Sequence, residues 1–141
     1  MTCRILVMGL PGSGKTTLAQ ELRVKLWEEG KTVIWLNADN IRQLHNDWDF
    51  SIEGRLRQSI RMKDLADEAT TDYVIADFIA PLVEMRTNFK ADWTIWMDTI
   101  NESIYADTNN MFIPPDKFNY DFHVTEQNAH RWVEVITNTI L

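Results

Sequence analysis

The stretch "GLPGSGKT", residues 9 to 16, follows the apolar run "RILVM" and precedes leucines spaced every fourth residue, Leu18, Leu22 and Leu26. It satisfies G-x-x-x-x-G-K-[ST] in the strand–turn–helix setting that pattern requires. Glycines let the backbone curl until successive N–H groups converge, and a helix opening near Gly14 adds the positive end of its dipole. A turn built this way grips the phosphates of a nucleoside triphosphate. Gly9, Gly12, Ser13, Gly14, Lys15, Thr16 and Thr17 are the expected contacts, with ATP as the donor. Lys15 is expected to neutralise the β and γ phosphates, and the Thr16 hydroxyl to face Mg²⁺.

The rest of the chain alternates in the same way. "RILVMG", "TVIWLN", "DYVIAD", "DWTIWMD" and "YDFHV" are short apolar runs bounded by polar or turn residues, as strands covered on both faces are. Between and after them come helical spacings. Leu56 and Ile60, with the Lys63 stem, predict one apolar face; Ala129, Trp132, Val133, Ile136 and Ile140 predict another. Gly30 is placed to stop the first helix. The pattern predicts an α/β, three-layer P-loop nucleoside-triphosphatase-type fold with a mainly parallel five-stranded sheet, and one domain over residues 1–141. Right-handed crossovers then bring residues 9–16, 37–42 and 77–86 to one sheet edge. Trp27, Trp35, Trp93, Trp96 and Trp132 fall on these elements and are expected in the core.

A formal charge of −7 argues against binding duplex nucleic acid. Cys3 is the only cysteine, which excludes an intrachain disulfide and a cysteine-rich zinc site. The first apolar run is too short for a secretory signal, and no stretch nears about 18 uninterrupted apolar residues. No membrane contact and a cytoplasmic location are expected.

Two carboxylates should face the glycine-rich turn from neighbouring strand ends: Asp39 in "LNADNIR" and Asp77 in "VIADFIAP". The first can orient an attacking hydroxyl or accept its proton; both suit a metal. Between positions 42 and 63, Arg42, Arg55, Arg57, Arg61 and Lys63 form a basic island that would draw an anionic acceptor. Helical spacing sets Arg57 and Arg61 on one face and turns Arg55 elsewhere.

With these residues in order, the chain resembles the adenylylsulfate kinases. "GLPGSGKTTLAQEL" is similar to their phosphate loop and "LNADNIR" to their L-D-G-D-N-V-R. "DFSIEGRLRQSIR" resembles G-F-S-x-x-D-R-x-x-N-I-R, and "FIAPLVEMR" resembles F-I-S-P-x-x-x-x-R. The likeness covers roughly residues 4 to 100. It implies transfer of the ATP γ-phosphate to the 3′-hydroxyl of adenosine 5′-phosphosulfate, a small-molecule nucleotide acceptor, by a homodimer. It further implies that Asp39 meets the acceptor hydroxyl or the metal and that Arg42 and Arg55 hold the phosphosulfate. Phe50 would stack on the acceptor adenine, Gln58 would take an asparagine's place, and Ile79 and Ala80 would line the pocket with main-chain groups.

The chain also departs from that pattern. Asn37 and Ala38 replace an aspartate and a glycine, Gly54 replaces an aspartate, and Asp77 stands where a small residue is usual. Ala80 replaces a serine, which excludes phosphorylation there. The resemblance implies a basic lid after "WMDTINES", yet residues 91–116 hold no lysine or arginine, so the lid is expected to be missing. Arg86 is the expected substitute on the transferring phosphoryl, ahead of Lys117, and Phe112, Phe118 and Trp48 are the aromatic residues that could stand in for the lid's. Two alternatives remain open at this level: another small-molecule or polynucleotide hydroxyl kinase of the same fold, and a noncatalytic nucleotide-binding module.

Overall fold

A computed structural model describes residues 1–141. Five strands, β1 (Cys3–Gly9), β2 (Val33–Asn37), β3 (Tyr73–Asp77), β4 (Trp93–Met97) and β5 (Phe122–Val124), form one sheet. Their order is β2-β3-β1-β4-β5 and every pairing is parallel. The five apolar runs are therefore the five strands.

Helices α1 (Lys15–Glu28) and α6 (Ala129–Ile140) cover one face; α2 (Ala38–His45), α3 (Ile52–Glu68) and α4 (Val83–Phe89) cover the other. A short α5 (Ala106–Met111) lies between β4 and β5. Alternation along β1 divides the core. Ile5 and Val7 pack with Leu18, Leu22, Leu26, Val133 and Ile136, while Leu6 and Met8 pack with Ile41, Met62, Ala66 and Phe89. Past α1, Gly30 takes a left-handed φ of 82°, and Lys31 N–H returns to Leu26 O at 3.0 Å, closing the helix as its sequence predicts.

Two packing expectations are overturned. On α3, Ile60 is half exposed, and the buried row is Gly54, Gln58, Met62 and Ala66 with Arg55 and Ser59 beside it. Residues four apart share a face; its later part, Met62 and Ala66, packs on the sheet with Leu6 and Met8, while Gly54 at its start lies under Asp49 of the α2–α3 loop. Trp27 is 71% exposed instead of buried, since it lies off the stripe that Leu18, Leu22 and Leu26 drive into the core. No helix is long and apolar enough to cross a membrane.

The crossover from β1 travels toward β2, whereas the one from β3 travels toward β4, so the direction of winding reverses between adjacent β1 and β3. A crevice opens beyond the carboxyl ends of strands at such a reversal.

Candidate active site

A cavity of about 620 Å³ occupies that crevice. Its floor is the turn after β1, with Gly12, Gly14, Lys15, Thr16 and Thr17; its walls come from the ends of β2 and β3, the α2–α3 loop and α5. Gly14 caps α1 in a left-handed conformation, φ 98°, which its missing Cβ permits. Lys15 is buried, and its Nζ donates to Leu10 O at 3.0 Å. Burial pushes its ammonium pKa down, opposed by the nearby charges of Asp77 and Asp39.

Asp77 ends β3 almost fully buried. Its Oδ2 accepts from Asn37 Nδ2 at 3.0 Å and from Thr16 Oγ1 at 3.2 Å. Burial pushes this carboxyl up, and Lys15 together with those donors pulls it back. Trp35 Nε1 is also buried nearby without a hydrogen bond of good geometry. Asp39, exposed in the first turn of α2, completes the group. No cluster of three His, Cys, Asp or Glu side chains could cage a metal alone. The oxygen set that does exist, Thr16 Oγ1, Asp77 and Asp39, fits Mg²⁺, a hard cation that keeps waters and shares phosphate oxygens.

Not every expected contact faces the cavity. Gly9 is a packing position: a Cβ there would lie 2.5 Å from Met97 O. Ser13 points into the protein, with Oγ buried and unpartnered and its N–H given to Leu10 O at 3.2 Å. On the acceptor side, Phe50, Arg55 and Ile79 line the cavity. Arg42 does not, because Nη1 donates to Asp47 O at 3.0 Å and Asp49 O at 3.1 Å while its guanidinium stacks 4.4 Å from the Phe50 ring centroid. It thus holds the loop that presents Phe50. Gln58 is tied to Ala38 O at 2.9 Å, and Ala80 is buried with φ 48°, its carbonyl accepting from Arg86 Nε at 2.7 Å.

Arg86 is turned away from the expected phosphoryl clamp. Its guanidinium donates to Ala80 O, Pro81 O and Ile113 O and lies 5.2 Å from the Phe112 ring centroid. Burial pushes its pKa down to about 10, leaving it charged at neutral pH but spent on main-chain carbonyls. Phe112 is therefore packing, and Phe118 is 85% exposed.

Reading the sequence did not single out Asn37, Tyr105, Asp107, Thr108 or Gln127 as cavity residues. Asn37 is legible only as the N-cap before α2, where its Oδ1 accepts from Asn40 N–H at 3.1 Å. Tyr105, Asp107 and Thr108 come from the start of α5, whose "ADTNNM" has no helical periodicity and sets Asp, Thr and two Asn, all weak helix formers, between Ala106 and Met111. Thr108 Oγ1 accepts from Arg55 Nη2 at 2.7 Å, and Asp107 Oδ2 lies 3.6 Å from the same nitrogen. A segment whose one charge is the Asp107 carboxylate therefore occupies the wall where a basic lid was expected to be missing.

The family model described as adenylylsulphate kinase matches residues 1–110. The chain is 37% identical over 83 residues to an adenylyl-sulfate kinase of Clostridium acetobutylicum, covering 57% of this chain and 42% of that protein. It is 41% identical over 81 residues to a probable adenylyl-sulfate kinase of Bacillus subtilis, covering 55% and 41% respectively. The chain thus spans about two fifths of the length of these curated relatives. In fold it is similar to the APS kinase of Mycobacterium tuberculosis solved with AMPPNP and APS, with a TM-score of 0.83 at 19% identity over 97% of this chain and 96% of that one.

Proposed function

This chain belongs to the adenylylsulphate kinase family, and from that premise we propose that it transfers the ATP γ-phosphate to the 3′-hydroxyl of adenosine 5′-phosphosulfate. The carrying observation is that one cavity joins Lys15 and Thr16, the strand-end carboxylates Asp39 and Asp77, and the acceptor-side pair Phe50 and Arg55. In this reading the backbone amides around Gly12 and Gly14, with the Lys15 ammonium, bind the triphosphate. The acceptor oxygen bonds to the γ-phosphorus as the bond to the bridging oxygen breaks, ADP leaves with that electron pair, and the hydroxyl proton passes to Asp39. Thr16 and Asp77 would hold Mg²⁺, which would supply charge neutralisation on the transferring phosphates. Phe50 offers a ring to the acceptor base and Arg55 a guanidinium to its anionic end.

Residues 1–141 would act as one kinase domain in the cytoplasm. A homodimer belongs to the same proposal, for which exposed Trp27 and Val24 offer apolar surface; light scattering checks it. Purified protein with ATP, Mg²⁺ and adenosine 5′-phosphosulfate should yield ADP and the 3′-phosphorylated product in equal amounts. Folded protein that binds ATP but forms no such product rejects this acceptor.

A second reading, a different hydroxyl acceptor on the same machinery, is favoured by Arg42 facing away and by Asp107 standing 3.6 Å from Arg55. A panel of nucleosides, sugar alcohols and 5′-hydroxyl oligonucleotides separates the two.

A further inference from the structure

Asn37 and Asp77 are register partners on β2 and β3 and end their strands side by side. The Asn37 amide is fully engaged. Its Oδ1 accepts from Asn40 N–H at 3.1 Å, which fixes which way the amide faces, and its Nδ2 then reaches Asp77 Oδ2 at 3.0 Å and Thr16 Oγ1 at 3.3 Å. Asp77 Oδ2 consequently receives both the amide and the Thr16 hydroxyl, while the buried Trp35 Nε1 lies near the same carboxylate without a hydrogen bond of good geometry. An amide and a carboxylate have the same shape, so exchanging the two side chains between the strands preserves the packing and moves only the charge. Groups that orient a metal-facing carboxylate are commonly worth about 10- to 100-fold in metal affinity.

We propose that Asn37 is a positioning residue that aims the Asp77 carboxylate and Thr16 hydroxyl at the metal of a bound nucleotide, and that the charge is exchangeable across the β2–β3 register. The proposal rests on the reading of the cavity as a metal–nucleotide site, but not on which acceptor it serves. Capping α2 is the purely structural role to be separated from it. Asn37→Ser keeps a capping oxygen and is too short to reach Asp77, so it removes the aiming without the cap. Asp77→Asn removes the charge, and Asn37→Asp with Asp77→Asn returns it from the other strand.

Mn²⁺ affinity in the presence of ADP, read by electron paramagnetic resonance, tests this without any turnover, with melting temperature recorded for each protein. We expect Asn37→Ser to weaken Mn²⁺ about 10-fold with an unchanged melting temperature, Asp77→Asn to weaken it at least as much, and the exchanged pair to recover most of the loss. Wild-type affinity in Asn37→Ser, or an exchanged pair no better than Asp77→Asn alone, overturns the proposal. A wild-type protein that binds ADP but recruits no Mn²⁺ overturns it too, and one that binds no nucleotide overturns the reading of the cavity on which it stands.

Discussion

Lys15 keeps an ammonium in a nearly closed position, 9% exposed, where one carbonyl and the charges of Asp77 and Asp39 are its compensation. Burial of a charge costs stability unless a ligand or partner offsets it. Lys15→Ala should therefore fold as well as the parent, with an equal or higher melting temperature, and lose about 10-fold or more in ATP affinity by titration calorimetry. Asp39 differs, being exposed and without a hydrogen-bond partner of its own. If it serves the acceptor hydroxyl, Asp39→Ala should lower kcat by about 10² to 10⁴ while ATP affinity stays within about threefold. An unchanged rate would instead indicate a noncatalytic nucleotide-binding module. Cys3 tests the opposite kind of residue, one with no chemistry expected. Burial, with Asp92 behind it, pushes its thiol up to about 11, so iodoacetamide at pH 8 should modify it about 100-fold more slowly than a free thiol.

The α2–α3 loop and the start of α3 show why the acceptor wall was only half legible. Hydrophobic periodicity marks α3 as a helix, but it selects the wrong face, because the buried face carries Gly54, Arg55, Gln58 and Ser59 at the loop end and only Met62 and Ala66 in the apolar core. A Cβ at Gly54 would stand 2.2 Å from Asp49 O and 2.5 Å from Asp49 Cγ. The G-F-S-x-x-D pattern places its carboxylate at the position of Gly54; here Asp49 brings one to that space from the loop. Such a trade cannot be read along the sequence, since it joins residues only after folding. Gly54→Ala should cost about 1–3 kcal/mol by overpacking and weaken acceptor binding with ATP affinity retained, checked by denaturant melts and paired titrations. The same loop is fastened by Asp47, which receives Arg57 Nε at 2.7 Å and lies 2.7 Å from Arg61 Nη2. Hydrogen bonds from Arg57 first, then Arg61, hold its carboxyl well below the usual range. A depressed carboxyl stabilises the fold above its unfolded pKa and loses that contribution as the pH falls through the folded one. The melting-temperature deficit of Asp47→Asn should thus be constant above about pH 5 and narrow once the pH drops below about 3.9.

At the scale of the molecule, legibility follows the reach of each signal. The five strands, the glycine-rich turn and the parallel three-layer arrangement are written in local runs and spacings, and they appear as read. The pull of Ile113 O on Arg86 and the approach of Asp107 to Arg55 are contacts between distant segments, and no local run encodes them. Those contacts also set the charge the substrates meet. The cavity is lined by two cationic side chains, Lys15 and Arg55, against three carboxylates, Asp39, Asp77 and Asp107, inside a chain of formal charge −7. Both proposed substrates are anions. Long-range attraction therefore cannot draw them in, and binding has to come from short-range amides and the two cations once a nucleotide has arrived. Screening shortens the reach of the repulsion, from a Debye length of about 30 Å at 0.01 M salt to about 8 Å at 0.15 M. The association rate of a fluorescent ATP analogue, followed by stopped flow in a salt whose anion binds weakly, should rise across that range. A steep fall would mean that a positive field guides the nucleotide, and the charge balance of the cavity would then have been drawn from the wrong set of side chains.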